Sequence, residues 1–186
     1  DWPVLEAASW ALAARRLDIR CVATSLATEE AARSAGLAVE SFAGEAALPR
    51  LDIAIDGADQ LAADGWVVKG GGGAHTREKL VAAAAERFVV IVSANKVVDS
   101  VQPPVPLELL EFGLAATLAR LGHAALRDAP RTPDGGVIAD WTGRVGDPAE
   151  LAALLAATPG VVEHGLFPPA LVSEVLVGRG DGVERL

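Results

Sequence analysis

Four consecutive glycines, residues 70–73, separate the short apolar run WVV (66–68) from TREKLVAAAAERF (76–88), with Lys69 just before them. Glycine carries no side chain to pack and loses more backbone entropy on folding than any other residue. A chain that keeps four in a row is expected to use them for bare backbone rather than for packing. The run before them has the length and branching of a buried strand. The run after them has the composition of a helix with an acid in its first turn. A strand that hands over to a helix through unobstructed amides can cradle an anion or a developing oxyanion. A flexible linker is the alternative, although most loops in compact domains are short and specific. The order is Lys then Gly, the reverse of a P-loop, and the G-x-G-x-x-G spacing is missing.

The same handover recurs along the first hundred residues. IRCVA (19–23), LAVESF (37–42), LDIAID (51–56), WVV and FVVIVSANK (88–96) read as strands. Residues 4–17, the stretch from Thr28 to Gly36, and residues 76–88 read as helices. Thr28 followed by Glu29 and Glu30 suits a helix N-terminus, and Gly36 suits a helix end. Strands alternating with helices imply a mostly parallel sheet. The Pro-rich VQPPVPLEL (101–109) breaks the rhythm and reads as a domain crossing. After it, LLEFGLAATLARLG reads as a helix and GGVIADW (135–141) as a strand. DPAELAALLAATPG reads as a helix with Asp147 as N-cap and Pro148 at its first position. VVEHGLF and SEVLVG read as further strands. The expected fold class is α/β: a parallel-rich, Rossmann-like sheet domain of residues 1–103 plus 167–186, with a smaller inserted α+β (ferredoxin-like) domain of residues 104–166.

Composition excludes several classes. The 186-residue chain is 51% hydrophobic, enough for a sizeable core. Its net charge of −9 disfavours a nucleic-acid face, yet a local lysine pair can still attract a small anion. No run reaches ~18 uninterrupted apolar residues, so no membrane span is expected, and no secretory signal is visible. Cys21 stands alone, which rules out an internal disulfide and fits the reducing cytoplasm. His75, His123 and His164 have no metal-ligand spacing with one another or with Cys21, so no structural zinc site is expected. The sequence opens on DWPVLEAASW and holds no Met, the pattern of a trimmed chain.

Ligands of open parallel sheets bind beyond the carboxyl ends of the strands. Three polar clusters fall at such ends: Asp56, Gly57 and Asp59; Lys69 with its glycines; and Lys96. Asp56 and Asp59, around Gly57, can hold sugar hydroxyls or a cation, or can simply serve the backbone of a turn. Glu78 falls in the first turn of the helix after the glycines. It can offset the helix dipole or pair with Arg77 or Lys79, or, in a partly closed crevice that raises its pKa, it can act as a general base.

Five blocks in one order, DGADQ, KGGGGAHTREKL, FVVIVSANKVVD, PVPLEL and PGVVEHGLF, together resemble ribose-5-phosphate isomerase of the A type. TSLATEEAARSAGL is similar to that family's second strand-loop-helix, so the resemblance runs from about Thr24 to near the C-terminus. It implies an aldose–ketose isomerase of the non-oxidative pentose phosphate pathway, interconverting ribose 5-phosphate and ribulose 5-phosphate without metal or organic cofactor. Carried over by position, Glu78 matches the base that moves a proton between C2 and C1 through a cis-enediol(ate). Asp56 and Asp59 match the pair lining the sugar site, where they would handle hydroxyl protons and ring opening. Lys69 matches the lysine near the reacting oxygens. Thr24, Ser25, Gly57, Ala58, Gly70, Gly71, Gly72 and Lys96 match substrate-contacting positions. The resemblance also implies a homodimer or homotetramer in the cytoplasm, with a small sugar phosphate as its only other partner.

The sequence departs from the family pattern in four places. A Gly-Thr-Gly-Ser-Thr phosphate loop belongs between the first strand and first helix, and alignment back from CVATS puts DWP (1–3) where it would end. The loop is thus expected to be trimmed away or lost. Loss would point to a relative acting on another sugar phosphate, or to a sugar-phosphate-binding or regulatory protein. Gln60 stands where the family has Glu. His75 stands where it has a hydrophobic residue, and is expected at a surface or helix start. SVQPP replaces the usual approach to the Pro-x-Pro turn.

Overall fold

In the computed structural model, which describes residues 19–45, 47–180 and 182–186, the β-branched runs pair into four sheets. The helix expected at 4–17 lies outside the described residues. The first half contains β1 (Arg20–Val22), α1 (Leu26–Ser34), β2 (Ala38–Glu40), β3 (Leu51–Asp56), β4 (Gln60–Ala62), β5 (Val67–Val68), α2 (His75–Ala84), β6 (Ala85–Ser93) and β7 (Val97–Val98). The second half contains β8 (Val105–Leu109), α3 (Leu114–Leu121), β9 (Ala124–Leu126), β10 (Val137–Trp141), α4 (Pro148–Ala156), β11 (Val161–His164), β12 (Leu166–Phe167), β13 (Glu174–Arg179) and β14 (Gly182–Arg185). Strands β3, β6 and β13 pair in parallel, as the alternation predicts, and β14 closes that sheet antiparallel in the order β14-β13-β6-β3. β1 and β2 form a separate parallel pair. An antiparallel sheet runs β11-β8-β10-β9. The fourth sheet, β12-β5-β4-β7, mixes both senses.

That fourth sheet is the layer between two cores. Side chains alternate across a strand, and here each face of the sheet joins a different apolar cluster. Leu61, Val67 and Phe167 pack with Ala54, Phe88, Val90, Val92 and Val177 of the parallel sheet. Their neighbours Ala62, Val68 and Leu166 pack with Val105, Leu107, Leu109, Trp141 and Leu155 on the antiparallel side. A sheet of two- and three-residue strands gains its stability from burial on both faces rather than from its own ladder.

Several boundaries differ from the expectation. Helix α2 stops at Ala84 instead of running to Phe88, because Ala85 already pairs with Leu51 and opens β6. The paired ladder outweighs the helix propensity of Ala85, Glu86 and Arg87. Helix α1 begins at Leu26, two residues before Thr28: Ser25 is its N-cap, accepting the Thr28 N–H at 3.1 Å. Gly36 ends α1 in a left-handed conformation (φ 81°), with Leu37 N–H bonded to Ala32 O. The Pro-rich 101–109 segment is more than a crossing. Val105–Leu109 is an interior strand of the antiparallel sheet, with all five residues buried. Leu109 therefore belongs to β8, and α3 starts only at Leu114, after Gly113. Strands β4, β7, β9 and β14 were not anticipated. Helix α4 is as expected: Asp147 caps the Ala149 N–H at 2.8 Å and Pro148 opens the first turn.

Leu107 is fully buried at the centre of the antiparallel core. Leu107→Ala should lower unfolding free energy by about 2–5 kcal/mol, whereas Asp147→Ala should cost only about 1 kcal/mol through the lost cap. Urea unfolding of the two variants measures both, and a smaller loss for Leu107→Ala than for Asp147→Ala would contradict this account of the core.

Candidate active site

Strand β3 ends at Asp56 and β5 runs into Lys69, and the two side chains meet. Lys69 is buried, with 4% of its side chain exposed. Its Nζ lies 2.9 Å from Asp56 Oδ2 and 3.4 Å from Glu78 Oε2, and donates to Gly57 O at 2.5 Å. The Lys69 backbone N–H is bound to Gly165 O at 2.9 Å, which fixes the root of the side chain. Phe167 lies beneath, its ring 5.9 Å from Lys69 Nζ and 5.0 Å from Lys79 Nζ. A buried ammonium needs such partners, because desolvation alone would neutralise it.

Helix α2 presents Glu78 to this lysine because its neighbours are committed elsewhere. Thr76 donates to the buried Glu108 carboxylate of β8. Arg77 makes a two-pronged pair with Asp134 at 2.6 and 2.8 Å. Lys79 donates to Glu163 Oε1 at 2.7 Å and to His164 O at 2.6 Å. The pairing of Glu78 with Arg77 or Lys79, one of the readings open from sequence, is thus not formed. Glu78 is largely buried, and its Oε2 accepts no hydrogen bond among the described residues. Burial pushes its pKa up to about 7; the Lys69 charge opposes the shift, and Asp56 and Asp59 add to it.

Two of the glycines stand where no side chain would fit. A Cβ on Gly70 (φ 107°) would lie 2.6 Å from His75 Nδ1 and 2.7 Å from Pro106 Cβ. A Cβ on Gly71 would lie 2.7 Å from Asp59 Oδ1. Only Gly72 has open space around it. The Gly71 N–H donates to Asp59 Oδ2 at 2.7 Å, so Asp59 is tied to the glycine loop while Asp56 is tied to Lys69. On the far side of the loop, Arg127 donates to the Gly70 and Gly71 carbonyls. Arg127, Glu108 and Phe167 were not among the expected site residues, since each reaches the site from a distant segment, and Lys79 was read only as a partner for Glu78.

The remaining expected residues fall outside this knot. Ala58 is buried in the parallel-sheet core. Ser25 Oγ serves the α1 cap, and Thr24 precedes it, half-buried, just beyond β1. Lys96 sits in the turn Ala94–Lys96 after β6. Because β3 and β6 are parallel, that turn lies at the same sheet edge as Asp56. Gln60 faces away: its side chain pairs with the Gln102 backbone at 2.8 and 2.9 Å, which accounts for an amide there. An apolar cavity of about 280 Å³, lined by Leu61, Val97, Pro169 and Val175 among others, contains none of the polar cluster and is not this site.

His75, expected at a surface or helix start, does open α2, and it is completely buried there. His164 is buried close by, and Lys79 and Glu163 face both rings. Burial, reinforced by the Lys79 charge, pushes both histidines down to about 4. Unfolded histidine titrates near 6.5, so between about pH 4 and 6.5 the unfolded chain binds protons that the folded one refuses. Stability is therefore lost as pH falls through that window. Glu78, with its raised pKa, has the opposite slope, and it cancels when two variants are compared. His75→Leu should gain about 2–3 kcal/mol relative to the natural protein on going from pH 7 to pH 4.5. Parallel urea curves for the two proteins at those pH values would refute the buried neutral histidine.

The family model for ribose 5-phosphate isomerase A (phosphoriboisomerase A) matches residues 20–182. Ribose-5-phosphate isomerase A of Halobacterium salinarum is 46% identical over 185 residues, covering 93% of this chain and 79% of its own length. The solved structure of ribose 5-phosphate isomerase A from Methanocaldococcus jannaschii has a TM-score of 0.87 at 29% identity, covering 98% of this chain and 84% of that one. Ribose 5-phosphate isomerase from Plasmodium falciparum gives 0.86 at 29% identity, with coverage of 98% and 84%. The match spans all four sheets together with Asp56, Asp59, Lys69 and Glu78, and the chain belongs to the ribose 5-phosphate isomerase A family.

Proposed function

We propose that this protein interconverts D-ribose 5-phosphate and D-ribulose 5-phosphate, with Glu78 as the base that carries a proton between C2 and C1. The observation that supports the assignment most directly is the Glu78 carboxylate: buried, with only the 3.4 Å contact to Lys69 at Oε2 among the described residues, and with its pKa pushed up to about 7. A carboxylate of that pKa can both take and return a proton near neutral pH. Removing a proton beside a carbonyl builds negative charge on the oxygens of an enediolate. Lys69 is a fixed cation within reach of Glu78, so the charge would develop next to a donor that needs no reorganisation. Asp56 and Asp59 flank that lysine and the glycine loop, where they can exchange hydroxyl protons and assist ring opening. Lys96, at the same sheet edge, and the exposed Gly72 are suited to contact the anionic end of the sugar, while the Gly71 N–H is taken by Asp59. Thr24 and Ser25 extend the reading to the end of β1. With Lys69 supplying the compensating charge, these steps need neither metal nor organic cofactor.

We further assign residues 1–103 plus 167–186 to a catalytic domain and 104–166 to a smaller one, a division that the antiparallel β11-β8-β10-β9 sheet supports. Exposed Leu110 and Phe112 in the loop between β8 and α3, Leu126 of β9 and Leu154 of α4 favour a homodimer or homotetramer. No helix among the described residues is long and apolar enough to cross a membrane. The lone Cys21 fits a cytoplasmic setting.

Two measurements test the reading. The protein should convert ribose 5-phosphate to ribulose 5-phosphate at a rate that EDTA does not change, and Glu78→Gln should lower kcat at least ~100-fold with KM largely kept. An unchanged rate in Glu78→Gln would remove the base assignment, and no conversion by the folded protein would point to another sugar phosphate. The base must be deprotonated to act, so kcat should rise with pH through a limb near 7. A rate already flat between pH 5 and 8 would contradict the raised pKa.

A further inference from the structure

The glycine loop is gripped from both sides through a single peptide unit. The carbonyl of Gly70 and the N–H of Gly71 belong to the same peptide bond and point in opposite directions in its trans form. Arg127 Nη1 donates to that carbonyl at 2.9 Å and to the Gly71 carbonyl, also at 2.9 Å. The N–H at the other end donates to Asp59 Oδ2 at 2.7 Å. The guanidinium is itself fixed, since its Nε and Nη2 form a two-pronged pair with Asp140 of β10, at 3.0 and 2.5 Å. Arg127 follows β9, and its own N–H is bound to Ile138 O at 3.0 Å, so both members of the pair sit on the antiparallel sheet.

A peptide flanked by two glycines has little intrinsic preference between its two flipped orientations. In the flipped form the Gly70 carbonyl would face the Asp59 carboxylate, oxygen against oxygen. Bonding to the guanidinium selects the other form and polarises the peptide, which strengthens its N–H as a donor to Asp59. We propose that Arg127, anchored by Asp140, is a positioning residue for the reaction: it locks the Gly70–Gly71 peptide so that the Gly71 N–H holds Asp59 in its working orientation. This rests on the reading above that Asp59 lines the sugar site. Lysine cannot replace this fork, because one ammonium cannot span the carboxylate and both carbonyls.

The test uses the full chain with Arg127→Gln, Arg127→Lys, Asp59→Asn and the double variant Arg127→Gln/Asp59→Asn. Three quantities are read: kcat and KM on ribose 5-phosphate, hydrogen exchange of the Gly71 amide by NMR, and the melting temperature. Arg127→Gln should lower kcat about 10- to 100-fold, the scale expected when a reacting group is misplaced. KM should stay within about 3-fold, and Gly71 exchange should speed up at least ~10-fold as its bond opens more often. Arg127→Lys, the fallback if the glutamine variant does not fold, should show the same pattern in weaker form. In the Asp59→Asn background the Arg127 substitution should add little. The inference is overturned if Gly71 exchange and kcat stay at natural values in Arg127→Gln, or if the two kcat losses multiply in the double variant. Should Asp59→Asn alone leave turnover intact while Arg127→Gln still frees the Gly71 amide, the sugar-site role of Asp59 falls. The catalytic half of this inference falls with it, and only the peptide anchor survives.

Discussion

The site depends on one imbalance of charge: a single buried cation, Lys69, faces two carboxylates that are themselves largely buried. Removing an ammonium from water is tolerable only when partners replace its hydration. Asp56 takes the shorter contact, at 2.9 Å, and the Gly57 carbonyl takes another proton of the ammonium. Glu78 is left with the longer contact, 3.4 Å, and with an oxygen that nothing else among the described residues satisfies. Two negative charges cannot both be fully compensated by one positive charge at low dielectric. Burial first, and the Asp56 charge after it, outweigh Lys69, so Glu78 sits near the point where it binds a proton almost as readily as it releases one. Reversible proton transfer between neighbouring carbons needs that condition in both directions.

Everything around the knot keeps it in register. Consecutive residues of α2 have separate addresses: Thr76 on Glu108, Arg77 on Asp134, Glu78 on Lys69, Lys79 on Glu163 and His164. A helix tied by several side chains to the antiparallel strands and their loops cannot rotate without breaking them together, so the direction of Glu78 is fixed by its neighbours. The thin sheet β12-β5-β4-β7 carries Lys69 between the two cores, with Val67 facing one and Val68 the other. Gly165 must approach closely at this point: a Cβ there would lie 2.2 Å from Lys69 O.

Much of the organisation was legible in the sequence. The α/β rhythm, the Asp147 cap and the placement of acidic turn, lysine and glutamate at successive element ends follow from local chemistry, which acts over a few residues. The errors were equally local in origin. Ala85 to Arg87 have helix propensity, and only a partner strand starting at Leu51 could turn them into β6. Thr28 had the composition of a cap, but Ser25 was one turn closer to β1. His75 stands at the helix start that its sequence position suggests, but its complete burial depends on tertiary packing that nothing local in the sequence announces.

What the sequence by itself determined is the set of reactive groups and the strand ends on which they stand, because strand and helix periods and turn chemistry are short-range. Only the tertiary structure decided which carboxylate shares the lysine with Asp56, which carboxylate the glycine loop holds, and that Arg127 anchors that loop from 56 and 57 residues away. Those outcomes come from burial and competition for a few donors. Such competition is settled by distances in space, across strands that no pattern in the chain places side by side.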